Sequence, residues 1–167
     1  WHEEIEMVTI FMNMMENASF RKQFIDTFCL VAGSVFEPKR CVAIIDSLAA
    51  KVTPMMQYEG ASPSGTANDL KGKLTASRQS TMFNTLYNYE RAQLSDAGML
   101  EVQLSANLPQ ANLFVNNLPV PTNKFGGTLF SPITIKAQAP ANFRFVGWAD
   151  NGDEFESESI LFEKGSE

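Results

Sequence analysis

The chain has 167 residues, of which 44% are hydrophobic and 19% are charged, and its formal net charge is -6. This composition is typical of a folded globular protein, and the length allows one good core or two small ones. The acidic balance and the dispersal of the 13 Lys and Arg argue against a nucleic-acid partner, and no apolar run approaches the roughly 18 residues of a membrane span.

The first predicted element is an amphipathic helix. Its apolar side chains recur at intervals of three and four residues, the period of a helix face: Ile5, Val8, Phe11, Met12 and Met15. The segment Trp1–Glu4 is acidic where a signal peptide would be basic, so we interpret the start as lying inside a longer chain. A helix without its upstream neighbours is expected to expose an unusually apolar face.

Two further helices are predicted before residue 60. The second begins with Ser19 as its N-cap and ends with Gly33 as its C-cap, and its apolar stripe consists of Phe20, Phe24, Phe28 and Val31. Pro38 opens the third helix, because proline is tolerated in a first turn, and Pro54 is expected to kink or restart it. The stripe of the third helix consists of Val42, Ile45, Leu48, Ala49 and Val52.

The pattern then changes twice. Small and polar residues from Gly60 to Ala67 predict a loop, and a fourth, broken helical region is predicted from Leu70 to Ser95. After Gly98 the apolar residues alternate between breaks at Pro, Gly and Asn, which indicates short strands. The predicted strands are Leu100–Leu104, Ala111–Val115, Phe125–Leu129, Ile133–Gln138, Phe143–Trp148 and Ser159–Phe162.

Helices followed by strands predict an α+β fold. We expect an N-terminal bundle of about four helices over residues 1–97 and a small antiparallel β module, a sheet or a sandwich, over residues 98–167. The two regions are expected to pack as separate units. A β unit of about 65 residues is near the lower limit of independent stability, so we also expect it to lean on the helices.

No set of residues predicts catalysis, and we assign no catalytic, cofactor-binding or metal-binding residue. His2, the single histidine, lies at the start of the chain, whereas Ser-His-Asp and Cys-His sites need an imidazole positioned in a core. Gly126-Gly127 lacks the spacing and the following helix of a phosphate-binding loop, and the motif of a kinase catalytic loop is not found. The chain by itself is predicted not to be an enzyme, and no cofactor is expected.

The two cysteines and two polar clusters each have a favoured and an alternative interpretation. Cys29 and Cys41 are interpreted as small buried side chains, with a disulfide as the alternative; together with one His they are too few ligands for zinc. Asp150–Glu154 is interpreted as a hairpin turn rather than a calcium loop. Asn17-Ala18-Ser19 fits a glycosylation acceptor, but the expected capping role of Ser19 already explains its serine.

Two apolar clusters are ambiguous in the same way. One is aromatic and is interpreted as the core of the β module, with a carbohydrate-stacking platform as the alternative: Phe143, Phe145, Trp148 and Phe155. The other is rich in methionine and is interpreted as packing filler, with an adaptable partner groove as the alternative: Met7, Met12, Met14 and Met15.

The predicted second and third helices resemble a known family. Ser19–Phe28 and Phe36–Ala49 resemble the late helical part of the CotH family of spore-coat and secreted kinase-like proteins. There, a helix with a pair of phenylalanines precedes a helix that reads roughly F-x-P-x-R-v-x-x-x-I-D-x-L-A. Arg78, Met82 and Leu86 are similar to the closing helix of that region, although a glutamine follows Arg78 where proline is usual.

The strand region extends the resemblance. Ile133–Ala137 and Phe143–Trp148 resemble the small β module that follows the helical part in Bacteroides-type members of the family. That module is itself similar to divergent internalin B-type repeats, in which Y-x-F-x-G-W is typical, and Phe143 stands in place of the tyrosine.

The resemblance implies a non-catalytic C-terminal fragment of a secreted or cell-surface CotH-like protein, which gives structural support and contributes to interaction at the cell surface. Family members resemble atypical protein kinases, but no position here matches their nucleotide or metal ligands. The implied partners are the upstream region of the parent chain and a surface glycan or protein, and the implied location is extracytoplasmic. Two alternatives stay open: a glycan- or protein-binding module that uses the β-module aromatics, and a part of an ATP-dependent protein kinase that is active only in the full-length parent.

Overall fold

The computed structural model describes residues 2–56, 58, 63–73, 98–150 and 153–163. Within them the fold is α+β, as predicted, and the four described helices precede all the described strands. The helices are α1 (His2–Glu16), α2 (Ala18–Ser34), α3 (Pro38–Met56) and α4 (Pro63–Lys73). The strands are β1 (Met99–Ser105), β2 (Asn112–Val115), β3 (Leu118–Pro119), β4 (Lys124–Phe130), β5 (Ile133–Gln138), β6 (Trp148–Asp150), β7 (Asp153–Phe155) and β8 (Ser159–Phe162).

The described strands form three antiparallel sheets. β1 pairs with β4 along its whole length, from Met99 opposite Phe130 to Ser105 opposite Lys124. A four-stranded sheet has the order β3-β2-β5-β8, and β6 pairs with β7. The antiparallel pairing is as predicted, and β5 and β8 have the predicted bounds.

Helix α2 shares one hydrophobic core with the two larger sheets. Ile25, Cys29 and Leu30 of α2 are buried in the same cluster as strand residues of both sheets, among them Leu104, Phe125, Phe130, Val115 and Ile135. The expectation of two separately packed units is therefore wrong at this helix, and the β region leans on it as expected. The boundary at residues 97 and 98 stays a prediction, because residues 74–97 lie outside the described part.

Gly33 lies inside α2, and its lack of a side chain lets the helix approach β4. A Cβ at this position would overlap the ring of Phe125 and lie 2.9 Å from the Gly126 carbonyl oxygen. The predicted C-cap at Gly33 is wrong, because α2 continues to Ser34 and the N–H of Val35 closes it by donating to the Val31 carbonyl. Glycine is required at this position because a side chain would not fit there, and not because the backbone is left-handed.

The start of α2 also differs from the prediction. The N-cap is Asn17 and not Ser19. The side-chain oxygen of Asn17 accepts the backbone N–H groups of Ser19 at 3.0 Å and Phe20 at 3.1 Å. Both residue types are good caps, so local preference alone could not choose between them.

A proline begins each of the helices α3 and α4. α3 begins at Pro38 as predicted, and α4 begins at Pro63. The predicted loop Gly60–Ala67 is therefore wrong from Pro63 onward, because a proline in a first turn starts a helix as readily as a loop. Pro54 does not restart α3, which runs through it to Met56. The rest of the predicted fourth helical region lies outside the described residues.

A polar link joins α2 to the turn between β2 and β3. The buried carboxylate of Asp26 accepts hydrogen bonds from Lys22 Nζ and, at 2.7 Å, from Asn116 Nδ2. Asn116 Oδ1 accepts the N–H of Thr134 on β5 at 2.8 Å. Asn116 and Asn117 have φ values of 50° and 65°, which a two-residue hairpin turn requires and asparagine tolerates. These hydrogen bonds fix the position of α2 relative to the β2–β3 turn and to β5.

Candidate ligand-binding site

A cleft of about 640 Å³ opens at one end of the β region. Its walls are the end of β1 with the loop after it (103–108), the end of β5 with the segment after it (137–140), and residues 143–149. Leu104 and Leu113, which belong to the buried core, also line it. The packed sheets therefore form part of the cleft wall, together with the loops.

The wall formed by residues 143–149 is not the strand that the sequence predicts. β6 begins only at Trp148. Before it the chain turns: Asn142 has a φ of 68°, and the N–H of Phe143 donates to the Pro140 carbonyl at 3.1 Å. The alternation of apolar residues around Phe143 and Phe145 predicts a strand, but this turn directs the segment along the cleft instead.

Three aromatic residues line this wall. Phe143 is 60% exposed, and Phe145 and Trp148 are half-buried against the core. The rings of Phe145 and Trp148 lie 5.7 Å apart at 59°, and Trp148 Nε1 donates to the Ser157 carbonyl at 3.0 Å. The indole is thus held in one orientation. The core interpretation is confirmed in part for Phe145 and Trp148. It is wrong for Phe143 and for Phe155, which is 44% exposed.

The polar lining of the cleft is almost uncharged. Its amides are Gln103, Asn107 and Gln138, and Arg144 is the one charged residue among the lining side chains. Amide side chains both donate and accept hydrogen bonds. The sequence analysis gave an aromatic platform only as the alternative to a core, and it missed these amides. Gln103 and Asn107 lie far from Gln138 and from the aromatic residues in sequence, so no local pattern connects them.

The acidic cluster on the β6–β7 pair has the pairing of a hairpin. Asp150 lies opposite Asp153 in the register, as the favoured interpretation requires, and Asn151 and Gly152 lie outside the described residues. The side chains of Asp150 and Glu154 are exposed. Within the described residues, no group of three or more His, Cys, Asp and Glu side chains is arranged to hold a metal ion.

The other sequence candidates are dispersed. Cys29 and Cys41 are both thiols; Cys29 is buried, as the favoured interpretation predicts, and Cys41 is half-buried. Gly126 and Gly127 lie inside β4. The side chain of Asn17 is engaged in the cap of α2.

The methionines of α1 do not fill a core. Met15 is buried, but Met7, Met12 and Met14 are exposed, so the packing-filler interpretation is wrong for these three. The predicted exposed apolar face of α1 is confirmed.

Comparison with known proteins gives no match: no family model, no curated protein and no solved structure is detectably similar to this chain. The CotH resemblance therefore stays a prediction. Among the described helices, none is both long enough and apolar enough to cross a membrane.

Proposed function

We propose that this chain is a non-catalytic binding module and that its cleft holds a short segment of a glycan. The observation that carries this proposal is the aromatic-lined cleft of about 640 Å³. Sites for small ligands are concave, measure roughly 300–1,000 Å³ and combine aromatic walls with a few polar groups. A protein partner would instead need about 800 Å² of surface on each side, which favours a glycan over a protein as the occupant.

The lining supplies the two kinds of contact that a sugar needs. The C–H face of a pyranose ring is apolar and packs against an aromatic ring, for which Phe143 and Trp148 are available. The hydroxyl groups at the edge of the sugar both donate and accept hydrogen bonds, which suits Gln103, Asn107 and Gln138. Because the wall at Trp148 is already oriented by its hydrogen bond to Ser157, little ordering is needed on binding.

We also propose that the module belongs to an extracytoplasmic CotH-like protein, in which the helices brace a kinase-like lobe formed by the upstream region. The support is the resemblance of Ser19–Phe28, Phe36–Ala49 and Phe143–Trp148. In that setting the β region presents its cleft at the cell surface. The non-catalytic part of the proposal is tested by titrating the chain with ATP and magnesium, and clear saturable binding would contradict it.

The glycan proposal is tested by an array screen followed by calorimetric titration with the oligosaccharide that binds best. Phe143→Ala is expected to weaken binding at least about tenfold, because stacking on this ring buries apolar surface. Because Phe143 is exposed, replacing it should leave the fold intact, which circular dichroism checks. Phe36→Ala is the matched control, since Phe36 is also exposed but lies between α2 and α3, and its affinity should be unchanged.

Two results would overturn the assignment. The first is an absence of saturable glycan binding, and the second is an affinity that does not change in Phe143→Ala. If a peptide or protein bound instead, and its binding depended on Phe143, the assignment of a glycan as the ligand would be wrong. The assignment of the cleft as the binding site would stand.

A further inference from the structure

One side of α1 carries exposed apolar side chains. Another side faces α2, where the ring of Phe11 packs edge-to-face on Phe24 with centroids 5.0 Å apart. Met7, Ile10 and Met14 are 70%, 57% and 44% exposed. Their spacing of three and four residues aligns them along the helix, and we call these three residues the α1 stripe.

Helix α3 has a similar exposed stripe. None of its residues is fully buried, although it packs against α4. Ile44, Leu48 and Met55 are 43%, 57% and 72% exposed, and their spacing of four and seven residues places them on one side. We call these three residues the α3 stripe.

The two helices that carry these stripes have opposite net charge. α1 contains four acidic residues and no Lys or Arg: Glu3, Glu4, Glu6 and Glu16. α3 contains Lys39, Arg40 and Lys51, and its one acidic residue, Asp46, pairs with Lys71 of α4. Glu6 lies four residues before Ile10, and Lys51 lies between Leu48 and Met55 at spacings of three and four, so each charge borders its stripe.

We propose that a second copy of this chain occupies the α1 stripe and that it docks there with its α3 stripe. Two α1 stripes facing each other would bring glutamates together, and two α3 stripes would bring lysines together, whereas the mixed contact pairs opposite charges. Such a contact is heterologous, so each copy can dock at both stripes and the association is open-ended. A single helix pair buries less than a standard interface, so the association is weak and depends on concentration.

The test is analytical ultracentrifugation of the whole chain over a concentration series. The average mass of the unaltered protein should rise above 18.5 kDa with concentration. Ile10→Gln and Leu48→Gln should each weaken the association by roughly tenfold or more, since each removes an apolar contact from one stripe. Leu161→Gln is the matched control, because Leu161 is as exposed as Leu48 but lies on β8. It should associate like the unaltered protein.

Mixing the two weakened variants separates the heterologous contact from its alternatives. Ile10→Gln keeps its α3 stripe and Leu48→Gln keeps its α1 stripe, so an equimolar mixture restores one contact and stops at the dimer. A monomer across the whole series would overturn the proposal, because the stripes would then be covered within the molecule or reserved for another partner. A mixture that stays monomeric, or single variants that associate normally, would overturn it as well.

Discussion

Replacing Gly33 by alanine tests whether α2 lies as close to β4 as the structure shows. In an unhindered helix this change stabilises a protein by up to about 1 kcal/mol. Here the new methyl group would overlap the ring of Phe125 and lie 2.9 Å from the Gly126 carbonyl oxygen. Overpacking costs about 1–3 kcal/mol, and the upper part of that range applies because one neighbour is backbone. We expect a net loss of about 1–2 kcal/mol in the free energy of unfolding.

The assay is urea denaturation followed by circular dichroism, in which the midpoint should fall while the slope stays constant. Gly65→Ala in α4 is the matched control, because a Cβ there meets nothing within 4 Å. Its stability should be unchanged or raised by up to about 1 kcal/mol. Phe125→Leu combined with Gly33→Ala should lose less than the sum of the two single losses, because the smaller side chain relieves part of the overlap. A Gly33→Ala variant at least as stable as the unaltered protein would refute the requirement for space at this position.

Two further substitutions test the polar contacts around α2. Asn17→Ala should lower the free energy of unfolding by about 1 kcal/mol, because it removes the acceptor of two backbone N–H groups. Ser19→Ala is the control and should change the stability little. If thermal melts showed the larger loss for Ser19→Ala, Ser19 would be the cap. Asn116→Gly accommodates the φ of 50° but removes the side-chain bonds to α2 and β5, so a loss of about 1–3 kcal/mol is expected in urea denaturation. Asn117→Gly is its control and should stay within about 0.5 kcal/mol, and equal effects would contradict the link.

The periodicity of apolar residues predicted the elements that carry an apolar face, whether or not that face is buried. α1, α2 and α3 follow the helical period, and burial alternates along β1, β2, β5 and β8. β4 was also predicted, although its burial does not alternate. β3 and β7 were missed because they are two and three residues long, too short to show a period. Element type was therefore predictable wherever a face is long enough to repeat.

The wrong predictions share a physical cause. Each concerns a feature that depends on three-dimensional contacts or backbone turns and not on the local pattern of apolar residues. Gly33 looks like a helix end, but its meaning is set by Phe125 on a distant strand. Phe143–Gly147 alternates like a strand, but the left-handed turn at Asn142 takes it away from the sheet. Local preference cannot supply either fact.

The candidate site was half predictable for the same reason. The aromatic residues of its wall are close together in sequence, and this density is why a stacking platform was the alternative to a core. Gln103 and Gln138 meet them only because the ends of β1 and β5 lie beside the same cleft. The polar half of the site thus depends on sheet topology, which the sequence pattern did not determine.

Amphipathic patterns do not say whether an apolar face meets its own core or another molecule. α2 and α3 both have such faces, yet α2 buries Ile25, Cys29 and Leu30 while α3 buries no residue completely. Charge is the additional observation that favours a second copy of the chain, so a salt titration tests the reasoning directly. The association should weaken as sodium chloride screens the pairing of Glu6 with Lys51. A contact driven by apolar burial alone would be insensitive to that salt and would strengthen in sulfate, which would remove the reason for choosing α3 as the partner of α1.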